Sequence, residues 1–291
     1  MSDSLSPETV RVFVGCDPND CDLEQMLVLE HSLRRHASLP VDIRWMQLSS
    51  NPDSPWYSDP ARRAGWRTER WATPFSGFRW AIPAVCGYQG RAIYMDTDTI
   101  VLDDIAGLWR APIDDGAIVL ARRDKSFSRF CVSLWDCAAA RAHLPAATQL
   151  RADPDAHGNC MKYFQRHPQL IGAIDPAYNN IDGEHQPIEN IKILHYSDMG
   201  TQFSHAHAMP RLRAEGREHW FDGKLLPHPR RDLADLFERT YAEALAAGRK
   251  LDDYRNPTPF GAFAKKSERG HRGNRVTRPG LLARVGRFFG S

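Results

Sequence analysis

Arg91-Ala-Ile-Tyr-Met-Asp-Thr-Asp-Thr-Ile-Val-Leu102 is the stretch on which the reading of this chain turns. Ile93, Tyr94 and Met95 lead in and Ile100, Val101 and Leu102 lead out, so it reads as a strand at the edge of a buried sheet with Asp96 and Asp98 at its centre. A strand turns residues i and i+2 to one face, with Cα atoms about 6.5 Å apart, so the two carboxylates converge. Burying both is costly unless something positive compensates them. A metal ion is one answer; a strand-end turn that uses one Asp as a cap is the other.

Upstream, Val10-Arg-Val-Phe-Val-Gly15 reads as a buried strand that Cys16-Asp17-Pro18 breaks. Leu23, Met26, Leu27, Leu29 and Leu33 follow helical spacing to about His36, and Val41-Asp-Ile-Arg-Trp-Met-Gln-Leu48 alternates again. Strand, helix, strand is the unit of a parallel α/β sheet. Residues 49–75 show no clear period and read as an irregular excursion. Residues 75–87 read as a helix that Pro83 keeps short or kinked.

Downstream, 103–109 reads as a turn into a short helix. Strands are expected over 116–121 and 130–136, then a helix over 137–143 and a helical run over 160–165. Short apolar runs at 171–174 and 191–196 add candidate strands around a polar loop, 175–182. Leu233, Leu236, Phe237, Tyr241 and Leu245 mark a helix over 231–248 that Gly248 stops.

The 291 residues are enough for a sizeable core, and their balance of hydrophobic and charged residues is that of a globular protein. No run is long enough to span a membrane, and the first residues lack a basic-then-apolar leader, which predicts a cytoplasmic protein. Six cysteines without a CxxC pair predict reduced, buried thiols and argue against a zinc site. The net charge of +2 hides an asymmetry: 11 basic and 3 acidic residues lie from Arg249 onward, leaving 27 and 33 before it. We therefore expect one domain over 1–250 and a basic, partly disordered tail over 251–291. The tail's end, Leu281-Leu-Ala-Arg-Val-Gly-Arg-Phe-Phe289, alternates apolar and Arg residues as an amphipathic, membrane-associating segment does.

Asp-x-Asp occurs three times. Asp20-Cys-Asp22 and Asp153-Pro-Asp155 sit in turn-forming company and read as solvated loop carboxylates or caps; only Asp96-Thr-Asp98 is embedded in a strand. His195, after Ile-Leu, reads on its own as a core histidine.

The stretch from Arg91 through Asp103-Asp-Ile-Ala-Gly-Leu-Trp109 resembles the metal-binding segment of glycosyltransferase family 8. The likeness runs over roughly residues 9–245, including the first strand, Arg79, the Leu-Trp-Asp-Cys137 ending and Lys192-Ile-Leu-His-Tyr196. It implies an α/β GT-A fold, a Rossmann-like mixed sheet flanked by helices. By matching position it implies a metal held by Asp96, Asp98 and His195, with Thr97 between the acids. Val14, Cys16, Asp17, Arg79 and Asp96 would face the nucleotide donor. Gln202 stands where the family has a diphosphate-binding Lys. For the family's Asp-Gln-Asp motif the candidates are Asp155, Asn159 and Asn179.

Carboxylates suit Mg²⁺ or Mn²⁺, and an imidazole tilts the set toward Mn²⁺. The function expected is metal-dependent transfer of a hexose from a nucleotide-diphosphate sugar, with UDP as the nucleotide, to a hydroxyl of a cell-envelope glycan, lipid or small acceptor. Retention of configuration is implied by the resemblance alone. A glycoside hydrolase with paired carboxylates, and a non-enzymatic binder of anionic membrane through the tail, are the competing readings. The tail's aromatic residues form no RNA-binding motif, so no nucleic acid is expected.

Overall fold

A computed structural model describes residues 8–124, 128–258 and 260–261. Its main sheet has six strands in the order β2-β1-β5-β8-β7-β9. These are β1 (Val10–Gly15), β2 (Val41–Met46), β5 (Arg91–Asp96), β7 (Val119–Arg123), β8 (Ser128–Asp136) and β9 (Ile171–Ala173). β3 (Ser58–Asp59) and β4 (Ala64–Gly65) form a small ribbon, and β6 (Thr99–Val101), β10 (Asn180–Ile181) and β11 (Ile193–His195) form a second sheet in the order β10-β11-β6. β1 runs parallel to both β2 and β5, whereas β8 is antiparallel to β5 and β7. The mixed sheet expected from the sequence is present.

Alternation divides the sheet's two faces. Val10, Val12 and Val14 of β1 and Ile93 and Met95 of β5 pack against the helices Leu23–His36 and Arg231–Ala246. Phe13, Ala92 and Tyr94 face the other way, into a layer of Trp80, Trp135 and Phe164. The excursion over 49–75 completes that layer: Trp56, Trp66 and Trp71 gather around Phe78 with ring centroids 4.6–5.3 Å from it. The lack of period there reflects aromatic packing around a two-residue-strand ribbon too short to show alternation.

Several expectations change. The helix over 75–87 is a 3₁₀ turn, Phe78–Ala81, running into Ile82–Val85, with Pro83 where its missing N–H costs least. The stretch 91–102 is two strands: β5 ends at Asp96 and the chain bends through Thr97 and Asp98 into β6, in the other sheet. The loop over 175–182 is a 3₁₀ turn, Pro176–Asn179, followed by β10, and its Asn179, Asn180 and Asp182 are buried. A helix, His205–Ala214, fills a region where the sequence offers little pattern.

Residues 251–258 lie against the body although the sequence assigns them to the tail. Tyr254 is buried edge-on to Trp45, and Asn256 Nδ2 donates to Pro18 O at 3.0 Å and Leu48 O at 3.1 Å. Asn256→Ala is expected to cost about 1–3 kcal/mol in urea denaturation, because two buried carbonyls lose their donor. An unchanged midpoint would show that water replaces it. The segment 281–289 lies outside the described residues. Among those described, no helix is long and apolar enough to cross a membrane.

Candidate active site

Ligands in open α/β sheets bind beyond the carboxyl ends of strands, where successive connections leave in opposite directions. Here that point lies between β1 and β5, since β2 lies on one side of β1 and β5 on the other. In register, Gly15 faces Asp96. A Cβ on Gly15 would come within 3.0 Å of the Tyr94 hydroxyl, so glycine leaves that hydroxyl room. Tyr94 uses the room to hydrogen-bond the Asp96 carboxylate.

The corner after β5 changes how the two acids meet. They do not share one strand face; they flank a bend held by Tyr196 N donating to Asp98 O at 3.1 Å and Thr99 Oγ1 to Asp96 O at 3.0 Å. β11 pairs with β6 so that His195 lies opposite Thr99, which brings its Nε2 to 3.2 Å from Asp98 Oδ1 and 4.0 Å from Asp96 Oδ2. Sheet pairing thus joins residues almost a hundred positions apart.

Each group has a support. Arg79 Nε donates to Ser76 O at 2.8 Å, its Nη2 reaches Asp96 Oδ1 at 2.9 Å, and its guanidinium lies over the Tyr94 ring. Gln202 Nε2 donates to Asp98 Oδ2 at 2.9 Å and is itself fixed by Gln25, whose Nε2 also reaches Ser204 Oγ. Burial raises the Asp96 carboxyl, and Arg79 only partly offsets it. Burial opposes charge on His195, but the Cys131 sulfur and Asp98 outweigh it and raise that imidazole well above its usual range.

Further buried acids surround the corner. Thr97 Oγ1 is 3.3 Å from Asp22 Oδ2, which accepts Asp17 N at 2.8 Å; Asp182 binds His228 Nε2 at 3.0 Å. Asp20-Cys-Asp22 is therefore not a solvated loop, since both of its acids are buried. Burial and then the Asp17 carboxylate push Asp22 well above the ordinary range. A raised carboxyl contributes stability below its unfolded pKa, about 4, and loses it as pH rises through the folded value. Asp22→Asn, which keeps an acceptor for Asp17 N, is expected to be more stable than the parent, with a margin that grows as pH rises above about 4. Thermal melts across pH, with chelator present, check this; a margin that shrinks with pH contradicts it.

The structure brings together most, though not all, of the residues nominated from sequence. Asp96, Asp98, His195, Arg79, Thr97 and Gln202 form the cluster, and Asn179 adjoins it through Cys131. Asp17 is fully buried, turning the loop through Asn19 N and Cys21 N. Val14 and Cys16 are fully buried; β1 pairs on both edges at Val14, and Cys16 N is bound to Met46 O. Asp155 pairs with Arg70 at the surface, and Asn159 Nδ2 with Asp153. Sequence reading passed over Cys131, Tyr94, Gln25, Asp22, Asp182 and His228. Only Asp22 carried a signal, an acid pair beside a strand end.

The donor set suits a divalent cation. Two carboxylates and an imidazole converge, and Asp98 Oδ1 is buried without a hydrogen bond of its own.

No family model matches the chain. Protein CDI of Arabidopsis thaliana is 33% identical over 125 residues, which is 42% of this chain and 44% of that protein, so the match spans less than half of the relative's length. Solved structures cover more. The bifunctional glycosyltransferase WbbM superposes with a TM-score of 0.53 at 13% identity, over 83% of this chain and 51% of that one. The galactosyltransferase LgtC, solved with donor and acceptor sugar analogs, gives 0.52 at 11%, over 80% and 96%. The glycosyltransferase GlyE of Streptococcus pneumoniae gives 0.51 at 14%, over 82% and 64%. Identities this low speak to the fold, and the chain has the GT-A fold of these glycosyltransferases.

Proposed function

We propose that the protein transfers a hexose from a nucleotide-diphosphate sugar, a UDP-sugar, to a hydroxyl acceptor on a cell-envelope glycan, lipid or small molecule, with retention of configuration. The observation that carries this reading is the convergence of Asp96, Asp98 and His195 at the switch point of a GT-A sheet. Asp96, Asp98 and His195 would hold Mn²⁺ or Mg²⁺, which supplies neutralisation of the diphosphate as it leaves. Arg79 holds Asp96 and places a second positive charge at the strand end. Gln202, braced by Gln25, keeps Asp98 turned toward His195. Tyr94, two residues before it on β5, fixes the Asp96 rotamer through its hydroxyl.

The hydrolase reading needs two carboxyls roughly 5–9.5 Å apart with a sugar in the gap, and chelation separates the two readings, since a hydrolase of that kind keeps its activity in EDTA. Incubation with UDP- and GDP-sugars and Mn²⁺ tests the proposal. Donor turnover abolished by EDTA is expected, and turnover that EDTA leaves untouched would sink it. Proton NMR of the product's anomeric signal reports retention.

We also propose cytoplasmic residence with peripheral attachment to an anionic leaflet through the basic tail, supported by the 11 basic residues from Arg249 onward. Sedimentation with phosphatidylserine vesicles is expected to fall when residues 265–291 are deleted; no change counts against it.

A further inference from the structure

Cys131 lies on β8, beside β5, and is buried. Its sulfur, a carboxylate oxygen of Asp96 and a ring nitrogen of His195 all lie within 4.8 Å of one another, the one such grouping of three among the described residues. The side-chain amide of Asn179 rests on this sulfur, with Nδ2 at 3.3 Å and Oδ1 at 3.4 Å. That amide serves either state of the sulfur: its oxygen accepts from a thiol, and its N–H donates to a thiolate. Asn179 is in turn fixed by Arg122, whose Nη1 donates to its backbone carbonyl at 2.7 Å and which pairs doubly with Glu184. A cysteine that only fills space has no need of such a mount. A metal-bound sulfur commonly has one, because supporting partners orient metal ligands.

We propose that Cys131 is a sulfur ligand of the cation that Asp96 and His195 hold, making a mixed oxygen, nitrogen and sulfur site that takes thiophilic ions such as Zn²⁺ or Co²⁺ in preference to Mg²⁺. Carboxylate and imidazole accept hard and borderline ions, whereas thiolate selects the softer ones. On binding, the S–H bond breaks, a sulfur–metal bond forms, and the proton leaves to solvent. The inference shares its cation site with the function proposed above and is independent of the sugar chemistry.

The test is a titration of the full-length, reduced protein with Co²⁺, followed by absorption. One equivalent is expected to produce a sulfur-to-cobalt charge-transfer band in the near ultraviolet together with visible d–d bands, and Zn²⁺ is expected to displace both where Mg²⁺ does not. In Cys131→Ser and Cys131→Ala the charge-transfer band is expected to vanish while d–d bands remain from Asp96 and His195. Asn179→Ala is expected to weaken Co²⁺ binding about 10–100-fold. Stoichiometric binding to the parent protein with d–d bands alone overturns the proposal, as does a charge-transfer band that survives in both cysteine variants. The parent's own spectrum decides the matter even where a variant fails to fold. Co²⁺ binding without the sulfur band leaves the donor-turnover assay to judge the proposed function separately.

Discussion

Asp98→Asn is expected to lower donor turnover by about 10²–10³-fold, the range found when a group stabilising developing charge is lost. The carboxamide oxygen still accepts from Gln202 Nε2, so the corner and its supports are expected to fold as before. What disappears is one full negative charge 3.2 Å from His195 Nε2, and with it much of the hold on a divalent cation. Turnover assays at rising Mn²⁺ check this. Partial recovery at high metal indicates weakened affinity, whereas parent-like turnover at low metal places the essential charge elsewhere.

Arg79→Ala carries the largest expected effect on stability. Arg79 and Asp96 form an ion pair in which the side chains are 10% and 16% exposed, and removing the guanidinium leaves a carboxylate with Tyr94 as its remaining close donor. Breaking such a pair from one side costs about 3–5 kcal/mol, far more than the pair contributes over a neutral replacement. The double variant Arg79→Met with Asp96→Asn is therefore expected to regain most of that loss in urea denaturation. Additive losses would mean that Arg79 acts through packing alone.

How much the sequence disclosed depended on whether a residue's role is local. Alternation in β1 and β5 and the helical spacing from Leu23 onward are local, so the parallel half of the sheet was legible. The Asp96-Thr-Asp98 pair was legible for the same reason, although its geometry was not: one continuous apolar run hides a bend between two sheets, because β5 and β6 are equally apolar. The partners that make the pair a site come from pairing across the chain. His195 reached it through the β6–β11 register and was nominated only through family likeness. Cys131, on the neighbouring strand, sits in a run whose apolar neighbours mark it as core. Val14 and Cys16 were nominated through family likeness alone, and both are engaged by sheet hydrogen bonds and packing.

On the function proposed, a nucleotide diphosphate is held through a divalent cation at Asp96, Asp98 and His195. Thermal denaturation with UDP, with and without Mn²⁺, in the parent protein and in Asp98→Asn, tests it most directly. At a hundredfold excess of ligand over its Kd, stabilisation of about 2.7 kcal/mol is expected, in the parent protein with Mn²⁺ present and in no other combination. Equal stabilisation without Mn²⁺, or in Asp98→Asn, would contradict it.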